Sequence, residues 1–276
     1  LVVRTPPLGL VRALNRGLEA TTAPLVARMD ADDVALPERL ERQVARLEGD
    51  PGTGILGCRV ELLSAPEVPP SGGMRGYVDW LNGLLDHEAM ARDRFVESPL
   101  AHPSVVLRRP AHVGLGGWRD VDGPEDYDLW LRAFDAGERF AKLPETLLRW
   151  RDRPGRLTRT DPRYAPARFL QVKLEALVRG PLAGGREVVV WGAGPVGKSW
   201  SRALQAAGHP VRAFVEIDPR KIGASVHGAP VIDVSRAGLK GPLHLAAVGQ
   251  PGARERIRLE AGRLGLVAGD DLVAVA

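Results

Sequence analysis

A chain of 276 residues, 44% of them hydrophobic, is long enough to bury a substantial core as one large domain or two modest ones, and its composition predicts a soluble globular protein. The single cysteine, Cys58, excludes an intramolecular disulfide and a cysteine-rich zinc site and suits a reducing compartment, so a cytoplasmic location is expected. The formal charge is only +4, and arginine makes up all but five of the 38 basic residues; no recognition module or interleaved aromatics accompany them, which excludes nucleic acid as an expected partner.

The chain opens on Leu1 and its first methionine is Met29, so an upstream segment is expected. No stretch reaches the roughly 20 apolar residues of a membrane span, and Leu1 to Pro7 lacks a signal-peptide pattern. Gly9 to Ala20 reads as a helix with Leu10, Leu14 and Leu18 on one stripe, and Pro24 to Met29 as a short strand running into Asp30. A helix is expected from Pro37, with Leu40, Val44 and Leu47 on its apolar face. Ile55 to Leu63 reads as a strand, Pro66 to Gly73 as a loop and Tyr77 to Met90 as a helix. Val105 to Arg108 reads as a strand and Glu125 to Ala136 as a helix ending at Gly137. A proline-rich, basic connection leads to a helix near Pro166 to Arg179. Gly180-Pro-Leu-Ala-Gly-Gly185 marks a boundary, after which Glu187 to Trp191, Val211 to Ile217 and Leu243 to Val248 read as strands between helical patterns, the signature of a parallel sheet.

Two acidic constellations carry chemistry. Asp30-Ala-Asp-Asp33 follows the apolar run Leu25-Val-Ala27, so its carboxylates are expected at the end of a buried strand, where open α/β sheets bind ligands. Clustered carboxylates repel unless a cation neutralises them, and hard oxygens suit magnesium or manganese carried on a diphosphate. In isolation such a triplet is more often an exposed turn or a helix cap. In Gly123-Pro-Glu-Asp-Tyr-Asp-Leu-Trp130, Pro124 can start a helix whose first turn holds Glu125, Asp126 and Asp128, where the dipole favours anions. From Leu143 to Arg179 there are nine basic residues against four acidic ones, a local excess that suits a diphosphate or an anionic membrane surface, or else forms a solvated face. His102 has no histidine or cysteine at ligand spacing and is expected to be a structural residue; Trp118 and Trp130 read as core or as an acceptor wall.

In order along the chain, Gly9-Leu-Val-Arg-Ala-Leu-Asn-Arg-Gly17, Val26-Ala-Arg-Met-Asp-Ala-Asp-Asp33 and Leu36-Pro-Glu-Arg-Leu-Glu-Arg-Gln43 resemble the middle of a family 2 glycosyltransferase of the GT-A fold. Ala101-His-Pro-Ser-Val-Val106, Gly116-Gly-Trp118 and Pro124-Glu-Asp-Tyr-Asp-Leu-Trp-Leu-Arg132 are similar to its acceptor side, so the resemblance runs from about Gly9 to Arg156. It implies that Asp30 and Asp32 hold a divalent cation, manganese or magnesium, on the donor diphosphate, with Asp32 the more direct ligand. It further implies that Asp126 is the base that deprotonates the acceptor, that Glu125 orients it, and that Arg12 and Asn15 lie near the nucleotide sugar, although either side chain can also simply cap or decorate a helix. Trp150-Arg-Asp-Arg-Pro154 resembles a basic loop over the diphosphate, supplying Arg151 and Arg153; relatives often carry histidine where this chain has Arg153. Relatives also begin with a strand, a helix and a second strand that cradle the donor base. Only about the last of these has room before Gly9, so an incomplete donor-binding part is expected.

Further on, Arg186-Glu-Val-Val-Val-Trp191 leads into Gly192-Ala-Gly-Pro-Val-Gly197, a strand followed by G-x-G-x-x-G at a helix start, with Glu216 about 19 residues beyond at the end of the next strand. Gly192, Gly194 and Gly197 would let backbone approach a pyrophosphate, and Glu216 would bind a ribose hydroxyl. The same letters also spell a phosphate loop through Lys198 and Ser199, or a glycine turn kept for packing. Phe214-Val-Glu-Ile-Asp-Pro-Arg-Lys-Ile-Gly223, Gly228-Ala-Pro-Val-Ile232 and Ala247-Val-Gly-Gln-Pro-Gly-Ala-Arg254 resemble small Rossmann-like domains that precede sugar acyltransferases and bind nucleotide sugars. No tyrosine follows Tyr164, so a Tyr-x-x-x-Lys dehydrogenase site is absent.

The expected fold class is therefore α/β: a partial GT-A domain over 1–160, a helical, basic linker over 161–185 and a Rossmann-like parallel-sheet domain over 186–276. The expected activity is inverting transfer of a hexose-type sugar from a nucleotide-diphosphate sugar to a glycan or lipid-linked acceptor in polysaccharide biosynthesis, with peripheral contact at the inner face of the membrane. The C-terminal domain is expected to take a nucleotide, a nucleotide sugar or NAD(P). The competing readings are a nonenzymatic nucleotide-sugar-binding or regulatory protein and an NAD(P)-dependent oxidoreductase.

Overall fold

The computed structural model describes residues 2–7, 9–64, 69–238 and 240–276. The chain divides into two compact units, one formed by Leu1–Met90 with Ser98–Phe169 and the other by Ala91–Glu97 with Leu170–Ala276. The glycine-rich run from Gly180 to Gly185 lies within the second.

The first unit contains α1 (Leu10–Glu19), β1 (Leu25–Ala27), β2 (Val34–Ala35), α2 (Arg39–Gly49), β3 (Thr53–Ser64) and α3 (Gly72–Gly83). Then come α4 (His87–Asp93), whose last residues enter the second unit, β4 (Val106–Arg108), α5 (Arg109–Gly114), α6 (Glu125–Asp135), β5 (Arg139–Asp152) and α7 (Leu157–Thr160). Its five strands pair in the order β1-β4-β3-β5-β2, with only β3 and β5 parallel. Leu56, Cys58 and Val60 of β3 meet Leu143, Leu147 and Leu148 of β5 in a core closed by Leu47, Val78, Leu81 and Trp150.

β5 is the element that the sequence hides. Pro144 falls in its middle and cannot donate to the ladder, and the register slips there, Cys58 facing Leu143 while Arg59 faces Thr146. The slip is a bulge that takes up Pro144 and Glu145, and the strand resumes through Arg149–Asp152 beside Glu61–Ser64. Its far edge pairs with β2, Val34 facing Arg149, which brings the basic end of β5 to the loop Asp30–Asp33.

Several expectations are corrected. β1 lies at the sheet edge and is only partly buried, so Asp30 follows an edge strand rather than a buried one. α2 turns Arg39, Gln43 and Leu47 inward; of its expected apolar face Leu47 is buried, Val44 is half-buried and Leu40 is 52% exposed. The helix expected over Tyr77–Met90 is two helices: Leu84 is extended, and Asp86 accepts the Ala89 N–H to cap α4. The expected loop from Pro66 to Gly73 is outside the described residues for 66–68, and α3 begins at Gly72 on a Ser71 cap.

α8 (Pro166–Arg179) leads into the second unit, which continues with β6 (Val188–Trp191), α9 (Pro195–Ala206), β7 (Val211–Glu216), β8 (Ser225–Val226), β9 (Ala229–Asp233), β10 (Leu243–Ala246), α10 (Ala253–Arg263) and β11 (Leu272–Ala274). The sheet order is β11-β10-β6-β7-β9-β8, parallel except for the β8–β9 pair. β6 is fully buried at the centre, and the chain leaves it first towards β7 and later returns on its other side as β10, making a topological switch point at the end of β6. The whole is an α/β protein with a mixed sheet in the first unit and a mostly parallel sheet in the second.

Candidate functional site

The loop after β1 is held from beneath by polar groups of α2. Arg39, 1% exposed, donates to the Arg28 carbonyl and to Gln43, and Gln43 in turn donates to the carbonyls of Leu56 and Ser104. These inward-facing polar side chains satisfy carbonyls at three points of the sheet and its loops, which explains why an apolar face would not serve here.

On this base sit three carboxylates. Asp30 pairs with buried Arg28, Oδ2 to Nη1 at 2.6 Å. Asp32 pairs with Arg153 at 2.8 Å, while Arg151 donates from Nε to the Asp32 carbonyl and from its backbone N–H to Asp33. Asp33 is 7% exposed, and its Oδ2 has no hydrogen-bond partner. Burial, with help from Asp30 and Asp32, pushes its carboxyl up to about 6 even though the Arg151 amide opposes the shift. Arg156 is packed over the Trp150 ring at 4.4 Å and senses Asp152, Asp33 and Asp30. The loop is thus an anionic cluster ringed by Arg28, Arg151, Arg153 and Arg156.

The second constellation starts α6, with Pro124 at the cap and Glu125, Asp126 and Asp128 in the first turn. Glu125, 3% exposed, accepts from the Tyr164 hydroxyl at 2.6 Å and lies 3.6 Å from His102 Nδ1. Burial raises its carboxyl, but the His102 and Tyr164 contacts and its own backbone amide outweigh that and hold it below the usual range. Asp126 is half-buried and accepts the Tyr127 N–H. Asp128 is engaged by Arg132 at 2.8 Å, and Arg132 also donates to the carbonyls of Leu115 and Gly117. His102 joins the two constellations: burial and the Arg28 charge pull it down to about 4, while Glu125 and Asp30 act in the opposite direction.

Among the described residues no group of three or more carboxylate, histidine or cysteine side chains is arranged to hold a metal ion. One or two carboxylates suffice, however, for a magnesium or manganese ion that also binds substrate phosphates. Asp30 and Asp32 are the carboxylates available for such an ion, each already paired with an arginine, Arg28 and Arg153, that the ion would have to displace or share.

Asn15 clamps Trp118 by accepting its N–H and donating to its carbonyl, and Arg12 is exposed on α1, outside these contacts. The basic run is largely engaged, since Arg149, Arg153, Arg156, Arg159, Arg163 and Arg168 each form an ion pair with an acidic residue. No helix among the described residues is long and apolar enough to cross a membrane. Arg28 and Tyr164 are parts of the site that the sequence motifs do not single out, and Asp33 belongs to the acidic motif without a role of its own there. Arg28 and Asp33 flank the Asp30 and Asp32 pair directly, whereas Tyr164 is 39 residues from its partner and gives no local signal.

In the second unit Gly192 and Gly194 form the turn at the end of β6. A side chain at Gly197 would meet the Gly192 carbonyl oxygen at 1.9 Å, so close packing of α9 on this turn requires glycine there. Glu216 ends β7, accepts the Ala193 N–H and pairs with Lys221 at 2.9 Å. Burial raises its carboxyl, but Lys221 and the amides of Ile217, Ala193 and Asp218 bring it below its ordinary value.

Residues 1–82 match the family model described as Glycosyl transferase family 2. The chain is 36% identical over 145 residues to the amylovoran biosynthesis glycosyltransferase AmsE of Erwinia amylovora, covering 52% of this chain and 51% of that protein. It is 34% identical over 146 residues to the putative glycosyltransferase EpsE of Bacillus subtilis, covering 52% and 49%. The chain thus spans about half the length of these curated relatives. Among solved structures it is similar to a mannosyltransferase from Pyrobaculum calidifontis in complex with GDP-Man and Mn2+, at 21% identity and a TM-score of 0.40 over 73% of this chain and 56% of that one. Over residues 1–82 the first unit is therefore similar to the family 2 glycosyltransferases.

Proposed function

We propose that the first unit takes part in inverting transfer of a hexose from a nucleotide-diphosphate sugar to a glycan or lipid-linked acceptor in polysaccharide biosynthesis. The observation that carries this reading is His102, which touches Glu125 while sensing the charges of Arg28 and Asp30, so that the aspartate loop and the start of α6 share one electrostatic neighbourhood. Asp30 and Asp32 would hold a manganese or magnesium ion, which when bound supplies Lewis-acid neutralisation of the departing diphosphate. Arg151, Arg153 and Arg156 offer further donors to phosphate oxygens, Arg153 by exchanging Asp32 for phosphate. Asp126 takes the proton of the acceptor hydroxyl as that oxygen attacks the anomeric carbon opposite the leaving group, which inverts the configuration. Arg12 and Asn15 belong to the donor side in this reading, and the remaining exposed arginines give peripheral contact with anionic lipid at the inner face of the membrane.

For the second unit we propose nucleotide or nucleotide-sugar binding at the turn Gly192–Gly197, with Glu216 at the ribose; this is favoured over NAD(P)-linked oxidation because no tyrosine follows Tyr164. The test is donor hydrolysis and calorimetric titration with uridine and guanosine diphosphates, with and without manganese. Metal-dependent turnover in the full chain should fall at least about 100-fold in Asp126→Asn, the usual scale for a lost general base. Turnover untouched by that substitution, or hydride transfer to NAD, refutes the assignment.

A further inference from the structure

Glu125 is held in a way that its motif does not require. The Tyr164 hydroxyl donates to Oε2 at 2.6 Å from a short helical turn, Pro162–Tyr164, and His102 Nδ1 faces Oε1 at 3.6 Å from another, His102–Ser104. The other nitrogen of the imidazole, Nε2, accepts the indole N–H of Trp118 at 2.9 Å, so a neutral His102 carries its single proton on Nδ1, towards Glu125. Trp118 is itself fixed, its backbone clamped on both sides by Asn15 and its ring edge-on to His112 with centroids 4.2 Å apart. A carboxylate this deeply buried keeps its charge only if donors replace the lost water. Glu125 is the first residue of α6 and directly precedes Asp126.

We propose that Tyr164 and His102 are positioning residues that grip the Glu125 carboxylate from two sides, fix the first turn of α6 and so aim Asp126 at the acceptor hydroxyl. The proposal rests on the transferase reading above. Neither side chain touches the reacting atoms; both act through Glu125. The indole of Trp118 sets which nitrogen of His102 holds the proton, and Asn15 sets the place of Trp118.

The test uses the full chain. Tyr164→Phe removes one hydroxyl and leaves the ring, and is expected to lower kcat about 10-fold with the donor KM changed by less than about 2-fold, the pattern of a lost transition-state alignment. In a Glu125→Gln background the same substitution should cost less than about 2-fold, because the charge it serves is gone. His102→Leu should match Tyr164→Phe, and His102→Asn, which keeps a donor, should recover most of the activity. Nitrogen-15 spectra of the histidine side chains supply a readout independent of turnover: one histidine, absent in His102→Asn, should stay neutral with its proton on Nδ1 between pH 5.5 and 8 and should shift in Tyr164→Phe. Full kcat in Tyr164→Phe, losses that multiply with Glu125→Gln, or a His102 protonated on Nε2 overturns the grip. Failure of the transferase reading looks different: Asp126→Asn then turns over donor like the unsubstituted chain, while the spectra still report on the grip.

Discussion

Asp33→Asn should stabilise the fold while removing a charge from the candidate site. In the folded chain the Asp33 carboxyl sits at about 6 against 3.8 for the free group, with burial as the main cause and Asp30 and Asp32 adding to it. A displacement of roughly two pH units is about 3 kcal/mol of disfavour for the ionised form. Between pH 4 and 6 the folded chain binds the extra proton and the unfolded chain does not, so stability from this group is highest in acid and falls as pH rises through 6. Asparagine is neutral and has the same shape; its oxygen can still accept the Arg151 N–H now held by Oδ1, but its amide would replace the unpartnered Oδ2 and leave a buried donor, costing about 1 kcal/mol. The net expectation at pH 7.5 is a gain of about 2 kcal/mol. Urea unfolding followed by tryptophan fluorescence at pH 4.5 and 7.5 reads it, because Trp80, Trp118, Trp130 and Trp150 all belong to the first unit. A variant no more stable than the parent at pH 7.5, or an advantage equally large at pH 4.5, refutes the reasoning.

Gln43→Leu should destabilise the first unit by about 2–3 kcal/mol in the same unfolding assay, despite improving the apolar pattern of α2, because the carbonyls of Leu56 and Ser104 lose their donor. Gly197→Ala should cost the second unit at least about 3 kcal/mol, since the new methyl must displace the Gly192 carbonyl oxygen; limited proteolysis should then cut after residue 170 at far lower protease, and unchanged resistance would count against the packing argument.

Legibility in the sequence followed the range of the interactions. α1, α6 and α8 were readable because their periodicity, starting prolines and terminal Gly137 are local signals, and the same holds for the strands β6, β7 and β10. β5 is not, because Pro144 and four charged side chains over Arg139–Arg149 hide a strand whose bulge only its partner β3 defines. The inward face of α2 departs from its apolar pattern at Arg39 and Gln43, because these two buried polar side chains serve carbonyls that lie 11 to 61 residues away. Asp30, Asp32, Glu125 and Asp126 stand out as motifs; that His102 faces Glu125 is set by the tertiary fold. Nothing near Tyr164 in the chain announces its contact with Glu125, 39 residues away.

The short segment from Ala91 to Glu97 has a practical consequence for anyone dividing this protein. It is counted with the second unit although most of the first unit's chain surrounds it in sequence, and its ties run there: Asp93 is paired with Arg258, and Lys173 donates to the Val96 carbonyl at 2.6 Å. A fragment ending at Phe169 would therefore lose the Arg258 partner of Asp93, and one beginning at Leu170 would lose the Val96 carbonyl to which buried Lys173 donates. Swapping either half for that of a relative calls for exchanging two separate stretches of polypeptide, not one.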